Sequence, residues 1–92
     1  MITLKWTGKA LADLSRLYEF LAPVNTQAAA SIVQALTAAP ERLREHPRMG
    51  EQLDEFRPRD VRRIFVNHYG IRYEIVGSHI YVSRIWRTRE DL

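Results

Sequence analysis

The chain of 92 residues contains no cysteine, so it can form no disulfide, thiolate metal site or thiol nucleophile. Its histidines, His46, His68 and His79, lack the spacing of metal ligands. No apolar run approaches the roughly 20 residues that a membrane helix needs. Residues 1–6 lack the basic segment and apolar core of a signal peptide. We therefore expect a single cytoplasmic domain over residues 1–92, with no cofactor, metal or membrane contact.

Lysine is also scarce, because twelve of the fourteen basic residues are arginine. Residues 57–89 hold eight arginines against two acidic residues, whereas residues 1–56 hold six basic and seven acidic residues. Arginine binds phosphate and carboxylate groups with a planar fork of donors and stacks on aromatic rings. The C-terminal third therefore suits an RNA backbone or an acidic protein surface. The plainer alternative is a solvated sheet face with cross-strand ion pairs.

Periodicity predicts one strand followed by two helices in the N-terminal half. Residues 2–6 alternate like a strand that is buried on one face. Apolar residues then recur at helical spacing over residues 8–21, after the candidate N-cap Thr7, and again after the candidate N-cap Asn25. The connection between the helices is short, so the helices should be antiparallel. Pro40 either kinks the second helix or opens a short final turn that carries Leu43.

Three strands are predicted after a polar connection over residues 51–60. They span residues 61–66, 71–76 and 79–86, with a turn cluster at 67–70 and a tight hairpin at Gly77-Ser78. A bulge near Arg84 would bring Ile85 into phase with Ile80 and Val82. The predicted fold is α+β in the order β-α-α-β-β-β. Its helical hairpin packs on one face of a small antiparallel sheet, and residues 2–6 lie at an edge.

Four groups of residues follow one another along the chain in a defined order. They are Trp6-Thr7 with Ala10 and Asp13-Leu14; Leu43, Pro47 and Gly50; Arg62-Arg63-Ile64, Tyr69 and Ile71-Arg72-Tyr73; and Ile85-Trp86-Arg87-Thr88-Arg89-Glu90-Asp91. This ordered set resembles the RelE/ParE superfamily of toxins over nearly the whole chain. The resemblance implies the fold described above and a growth-arresting toxin of a type II toxin–antitoxin system, such as those of plasmid stabilisation. It also implies a cognate antitoxin as partner.

The superfamily offers two activities: ParE-like members are described as poisoning DNA gyrase, and RelE-like members cut mRNA on the ribosome. Cleavage through the 2′-OH of RNA needs a general base, a general acid and cations for the phosphorane charge. Arg87 stands where many relatives have a late histidine, and arginine stays protonated in proteins. We therefore expect a ParE-like gyrase inhibitor. The alternatives are a RelE-like endoribonuclease and a degenerate member that binds only its antitoxin.

These alternatives predict different sites. Tryptophan and arginine dominate protein-contact hot spots, so the toxic surface is predicted at Arg84, Trp86, Arg87 and Arg89. An amphipathic, acidic antitoxin segment is predicted to bind the first helix and the arginines, at Leu14, Leu17, Tyr18, Leu21, Arg62, Arg63 and Arg72. No residue is predicted to be catalytic in a gyrase inhibitor. In a ribonuclease, the candidates are Arg62, Arg63, Arg84, Arg87, Glu51 and Glu55.

Overall fold

The structure, a computed structural model, describes residues 1–88. Its elements are β1 (Thr3–Trp6), α1 (Gly8–Leu21), α2 (Thr26–Ala38), a 3₁₀ helix (Ala39–Arg44), β2 (Glu51–Gln52), a second 3₁₀ helix (Asp54–Phe56), β3 (Asp60–Val66), β4 (Tyr69–Val76) and β5 (His79–Arg87). None of the helices in this part of the chain has the length and apolar character needed to cross a membrane.

Both helices begin at the predicted capping residues. The Thr7 hydroxyl accepts a hydrogen bond from the Ala10 N–H at the start of α1, and the Asn25 side chain accepts one from the Ala28 N–H at the start of α2. Pro40 lies within the 3₁₀ helix that continues α2, and Leu43 of that helix is fully buried. Of the two alternatives for Pro40, the short final turn is therefore confirmed.

The five strands form one sheet in the order β1-β5-β4-β3-β2, so residues 2–6 do lie at an edge. The sheet differs from the expected one in two respects. β1 pairs parallel to β5, from Thr3 opposite His79 to Trp6 opposite Val82, so the sheet is mixed rather than antiparallel. In addition, the polar connection contributes the two-residue strand β2, which pairs with β3. Alternation identifies a buried face but does not specify the direction of the neighbouring strand.

The turn between β3 and β4 is shorter than predicted. It consists of Asn67, whose φ is 55°, and His68, while Tyr69 and Gly70 are buried residues of β4. Asparagine tolerates the left-handed conformation that a tight hairpin requires. In β5, Arg84 pairs with Arg72 and Val82 pairs with Tyr73, so Ser83 is an extra residue. This confirms the predicted bulge.

The helices cover one face of the sheet. Ile71 and Tyr73 of β4 point towards them and are fully buried, together with Ile80 and Val82 of β5. Because side chains alternate along a strand, Gly70, Arg72 and Glu74 lie on the opposite face with their cross-strand partners. We call this opposite side the outer face.

Candidate functional site

Three arginines lie side by side at the centre of the outer face. Arg63 of β3 is directly opposite Arg72 of β4, which is directly opposite Arg84 of β5. Directly opposite residues on antiparallel strands have Cβ atoms about 4.5–5.5 Å apart, and like charges at such positions are destabilising. We call these three residues the arginine row. Its arrangement is therefore electrostatically unfavourable unless negative charge is nearby.

Carboxylates at the sheet margins compensate only the two flanking members of the row. The Arg63 Nε lies 3.0 Å from Glu51 of β2, and the Arg84 Nε lies 2.8 Å from Asp13 of α1. Within residues 1–88, the central Arg72 makes no ion pair with a carboxylate. Its guanidinium lies 5.0 Å from the centre of the Phe56 ring and 3.5 Å from the Ser83 hydroxyl. Among the described residues, the central cation of the row is thus held by an aromatic ring and a hydroxyl group rather than by a carboxylate.

Two aromatic rings lie beside the arginine row, two residues further along the strands. Phe65 and Trp86 flank Gly70 in register, and their rings meet edge to face with centroids 6.5 Å apart. A Cβ atom on Gly70 would lie 2.3 Å from the Trp86 ring, so the indole rests directly on the glycine backbone. Phe65 is 55% exposed, and the Arg63 guanidinium lies 5.4 Å from its ring centre. We call Phe65 and Trp86 the aromatic pair.

Asp13 is a buried carboxylate that ties α1 to β5. β1 stops pairing at Val82, and further along β5 the Ile85 N–H is hydrogen-bonded to Asp13 Oδ2 at 2.9 Å. Arg84 and Arg16 also donate to this carboxylate. Burial raises the pKa of Asp13, but the bonds from Arg84 and Ile85 and the charges of both arginines outweigh it, so the pKa is below its ordinary value. The sequence pattern identified Asp13 as a motif residue without indicating this role.

A second buried contact explains the motif residues Pro47, Gly50 and Tyr73. The Tyr73 hydroxyl donates to the Pro47 carbonyl at 2.7 Å and accepts from the Gly50 N–H at 3.0 Å. A side chain on Gly50 would collide with the Tyr73 hydroxyl and the Arg63 carbonyl, each at 2.7 Å. Burial raises the pKa of Tyr73, so its hydroxyl stays protonated at neutral pH. The hydroxyl therefore holds the backbone of Pro47 and Gly50 against β4.

The predicted antitoxin-binding residues fall on different surfaces. Leu14 and Leu17 pack partly against the core, while Tyr18 remains 38% exposed in a groove of the helical layer; Leu21 is half-buried on the same helix. Arg63 and Arg72 lie on the outer face. Arg62 faces the helical side, where it pairs with Asp60 at 2.8 Å and donates to the Gly50 carbonyl. The structure does not bring these seven residues together in one continuous surface.

The ribonuclease candidates are brought together only in part: Arg63 and Arg84 belong to the arginine row and Glu51 pairs with Arg63, whereas Arg62 lies on the helical side. Glu51 is engaged by Arg63, and Glu55 is exposed in the second 3₁₀ helix. Glu74 forms an ion pair with Arg59 at 2.7 Å, and the hydrogen bond from Arg59 lowers the pKa of Glu74. Within residues 1–88, no group of three or more potential ligand side chains is placed to hold a metal ion.

The predicted toxic surface lies mainly at the end of β5. Trp86 is half-buried on the outer face, and Arg87 is exposed opposite Tyr69. The chain beyond it is held by a hydrogen bond from the Thr88 N–H to the His68 carbonyl at 2.8 Å. Arg84 belongs to the same strand, although Asp13 holds its side chain. Arg89 lies outside the described residues.

Comparison with known proteins identifies the family. Residues 4–92 match the family model described as the ParE toxin of the type II toxin–antitoxin system parDE. The chain belongs to the ParE toxin family. Its fold matches a chain from the chromosomal ParDE toxin–antitoxin system of P. aeruginosa with a TM-score of 0.80 and 26% identity, over 97% of this chain and 98% of that one. The predicted resemblance and the α+β fold are thereby confirmed.

A second relative has a name from the other branch of the superfamily. This ParE-family chain is 34% identical over 87 residues to the Toxin RelE1 of Caulobacter vibrioides, covering 90% of this chain and 89% of that protein. Together, the comparisons make the chain a toxin of a type II toxin–antitoxin system, and such a system implies an antitoxin partner.

Proposed function

We propose that this ParE-family toxin arrests growth by binding DNA gyrase through the end of β5, and that a cognate antitoxin neutralises it. The observation that carries the proposal is the position of Trp86. Its ring rests on Gly70 beside Phe65, and the exposed Arg87 follows it on the strand. Tryptophan and arginine are the residues most enriched in protein-contact hot spots, and here they are adjacent on the strand.

Two groups that could transfer protons, in Tyr73 and Glu74, are already engaged in other contacts, which supports a toxin that acts by binding over a nuclease. The Tyr73 hydroxyl is used in the fold, and Glu74 is held as a carboxylate by Arg59. Cations are abundant on the outer face, but cations alone do not deprotonate a 2′-OH or protonate a leaving oxygen. Binding a protein target requires neither step.

A ribosome-dependent endoribonuclease is the second candidate, because one contact favours it. The exposed His68 lies at the turn whose carbonyl binds the Thr88 N–H, so a histidine neighbours the C-terminal end of β5 after all. Glu51 beside Arg63 supplies a carboxylate near the arginine row. The name of the Caulobacter vibrioides relative points in the same direction. A degenerate member that binds only an antitoxin is the third possibility.

Growth arrest after induction tests the proposal. The double variant Trp86→Ala, Arg87→Ala should lose toxicity, because truncating a hot spot costs about 2 kcal/mol or more of target affinity. The matched control is Lys5→Ala, Tyr81→Ala, which removes a cation and an aromatic ring that are paired in register at the other end of β5. The control should remain toxic, and both proteins should be soluble at equal levels.

In vitro assays then separate the three candidates. Gyrase supercoiling should be inhibited by the wild type and by the control but not by the Trp86, Arg87 double variant. Full toxicity of that double variant would remove the site from the end of β5. Toxicity that vanishes in Glu51→Gln or His68→Ala, together with cleaved mRNA in primer extension on translated message, would identify a ribonuclease. A soluble wild type that binds antitoxin but arrests nothing would be a degenerate member.

A further inference from the structure

We propose that a second copy of this chain pairs with β1 along its open edge, so that the two sheets join into one. This pairing goes beyond the proposed action on gyrase and does not depend on it. β1 is the last strand at one margin of the sheet, and β5 is its neighbour on one side only. The main-chain groups on the other side of such a strand are a template for another strand.

The backbone groups of β1 divide between its two sides. The Thr3 N–H donates to the Ser78 carbonyl at 2.9 Å, so the polar groups of Thr3 face β5. Because this direction alternates along a strand, those of Lys5 also face β5, whereas those of Leu4 and Trp6 face the open edge. Within residues 1–88, no side chain and no backbone group outside the sheet binds the N–H and C=O groups of Leu4 and Trp6.

One side chain already binds this edge. Arg44, at the end of the first 3₁₀ helix, donates to the Ile2 carbonyl at 3.1 Å, and this carbonyl belongs to the same alternating set as Leu4 and Trp6. The Arg44 side chain is 44% exposed and also pairs with Glu41 at 2.7 Å. It can therefore leave the Ile2 carbonyl with little loss of stability. The N–H of an incoming strand would take its place.

The open edge is complementary to itself in an antiparallel register. With Leu4 opposite Leu4 of the partner subunit, Ile2 lies opposite the partner's Trp6, and each pair exchanges N–H and C=O groups. The side chains of Ile2, Leu4 and Trp6 pack against the core on the helical side, and all three are only partly buried. This register therefore places apolar side chains next to one another and also satisfies the backbone groups of the edge.

Symmetry favours a second copy as the partner. Pairing of β1 with itself closes after two copies, whereas pairing with the opposite margin of another sheet would continue into a filament. That opposite margin is β2, which has only two residues. The open edge offers backbone amides and apolar side chains, and β1 is a strand of matching length and chemistry. An extended antitoxin segment is the other strand that could add here, and hydrogen exchange distinguishes the two.

Sedimentation equilibrium and amide hydrogen exchange of the full chain without antitoxin test the proposal. One short strand per copy makes a small interface, so we expect a dissociation constant of about 10⁻⁵ to 10⁻⁴ M. The Leu4 and Trp6 amides should become protected from exchange as the dimer forms, whereas the Lys5 amide, which faces β5, should be protected at every protein concentration. Affinity should not fall as salt is raised, because no ion pair crosses the interface.

Removing Arg44 should strengthen the dimer. Arg44→Ala removes the side chain that competes for the Ile2 carbonyl in each copy, so affinity should rise by about ten-fold. The matched control is Arg42→Ala, at an exposed position of the same 3₁₀ helix, and it should change affinity by less than about two-fold.

A proline at Leu4 should weaken the dimer. Leu4→Pro removes an N–H that faces the open edge but leaves the pairing of β1 with β5 intact, so affinity should fall by at least about ten-fold. Leu4→Val keeps that N–H and should stay within about three-fold of the wild type. Thermal unfolding verifies that each variant is folded, and if Leu4→Pro is not, the comparison of Arg44→Ala with Arg42→Ala decides.

Three results would overturn the proposal: a chain that remains monomeric up to about 1 mM, a dimer whose Leu4 and Trp6 amides stay unprotected, or equal affinities of Arg44→Ala and Arg42→Ala. If cognate antitoxin protects these amides in a chain that is monomeric by itself, the edge belongs to the antitoxin and the proposal is wrong. Each of these results can occur whether or not gyrase is inhibited. Protection of both amides that rises with protein concentration, and rises further in Arg44→Ala, would support the pairing.

Discussion

Asp13 receives hydrogen bonds from two elements of the fold. The Ile85 N–H and the Arg84 side chain bind it from β5, and Arg16 binds it from the next turn of α1. The carboxylate side chain is only 4% exposed, whereas those of Arg84 and Arg16 are 43% and 65% exposed. Losing Asp13 would leave the Ile85 N–H without its acceptor, while both arginines could turn to water. The backbone contact should therefore dominate the stability effect.

We predict that Asp13→Ala lowers the free energy of unfolding by about 2 kcal/mol, the usual cost of leaving a buried donor unsatisfied plus a lost charged acceptor. Glu19→Ala, which removes an exposed carboxylate from the same helix, should change it by no more than about 0.5 kcal/mol. Urea denaturation at neutral pH measures both. Equal stabilities of the two variants would contradict the role assigned to Asp13.

The same contact has a predictable pH dependence. The pKa of Asp13 in the folded chain is lower than its ordinary value, so the unfolded chain takes up the proton first as the pH falls. The contribution of Asp13 is therefore complete above about pH 4 and is lost as the pH falls below that through the folded-state pKa. The stability difference between wild type and Asp13→Ala should shrink accordingly in acid.

At the scale of elements, the two helix caps offer a matched comparison. Asn25 caps α2 through one hydrogen bond in an exposed position. Thr7 caps α1 in the same way, but its hydroxyl also lies 3.3 Å from the Ser83 carbonyl, and its N–H donates to the Val82 carbonyl. The Thr7 hydroxyl thus joins the start of α1 to the bulge of β5.

We expect Asn25→Ala to cost about 1 kcal/mol of stability, the typical value for a lost N-cap. Thr7→Ala should cost more, because it also leaves the Ser83 carbonyl without that donor. Chemical denaturation of the two variants measures the difference directly. A smaller loss for Thr7→Ala than for Asn25→Ala would mean that the contact with Ser83 contributes nothing.

Elements with strong local signals were predictable, and those that depend on distant partners were not. The apolar face of α1, its N-cap Thr7 and the bulge in β5 are each determined by residues that are close together in the sequence. They were therefore predicted correctly. The parallel pairing of β1 depends on β5 at the other end of the chain, which periodicity cannot identify, and β2 has only two residues, too few to show a periodicity. Gly70 looked like a turn residue, whereas its lack of a side chain makes room for the Trp86 ring.

The candidate site shows the same limit. The sequence indicated an excess of arginine in the C-terminal third but not which arginines are neutralised. In the structure Arg57, Arg59, Arg62, Arg63 and Arg84 all pair with carboxylates, three of which come from residues before 57. Of these five pairs, only that of Arg63 with Glu51 joins two paired strands, so the alternative of cross-strand ion pairs describes a small part of this charge. What distinguishes Arg72 is its central position in the sheet, and strand register alone determines that position.

At the scale of the whole molecule, the helical layer exposes apolar surface that a partner could cover. Leu11 and Tyr18 are 51% and 38% exposed, and with Leu14 and Val33 they line a groove between α1 and α2. Phe20 and Val24 at the end of the hairpin are 67% and 89% exposed. Exposed apolar patches of this kind mark sites of protein contact. We expect the apolar side of an antitoxin segment to bind in this groove, which contains none of the arginines of the outer face.

Such binding should stabilise the toxin by mass action, because the antitoxin segment recognises the folded chain only. At a free antitoxin concentration of 100 times the dissociation constant, the gain is about 2.7 kcal/mol. For a domain of this size it should raise Tm by roughly 10–20 °C.

Tyr18→Glu places a charge in the groove and should abolish most of the rise, whereas Ser31→Glu, at an exposed position of α2 outside the groove lining, should preserve it. Differential scanning calorimetry with cognate antitoxin gives the answer. An unchanged Tm at saturation would exclude neutralisation by binding to the folded toxin, and an undiminished rise in Tyr18→Glu would move the contact away from the helical layer.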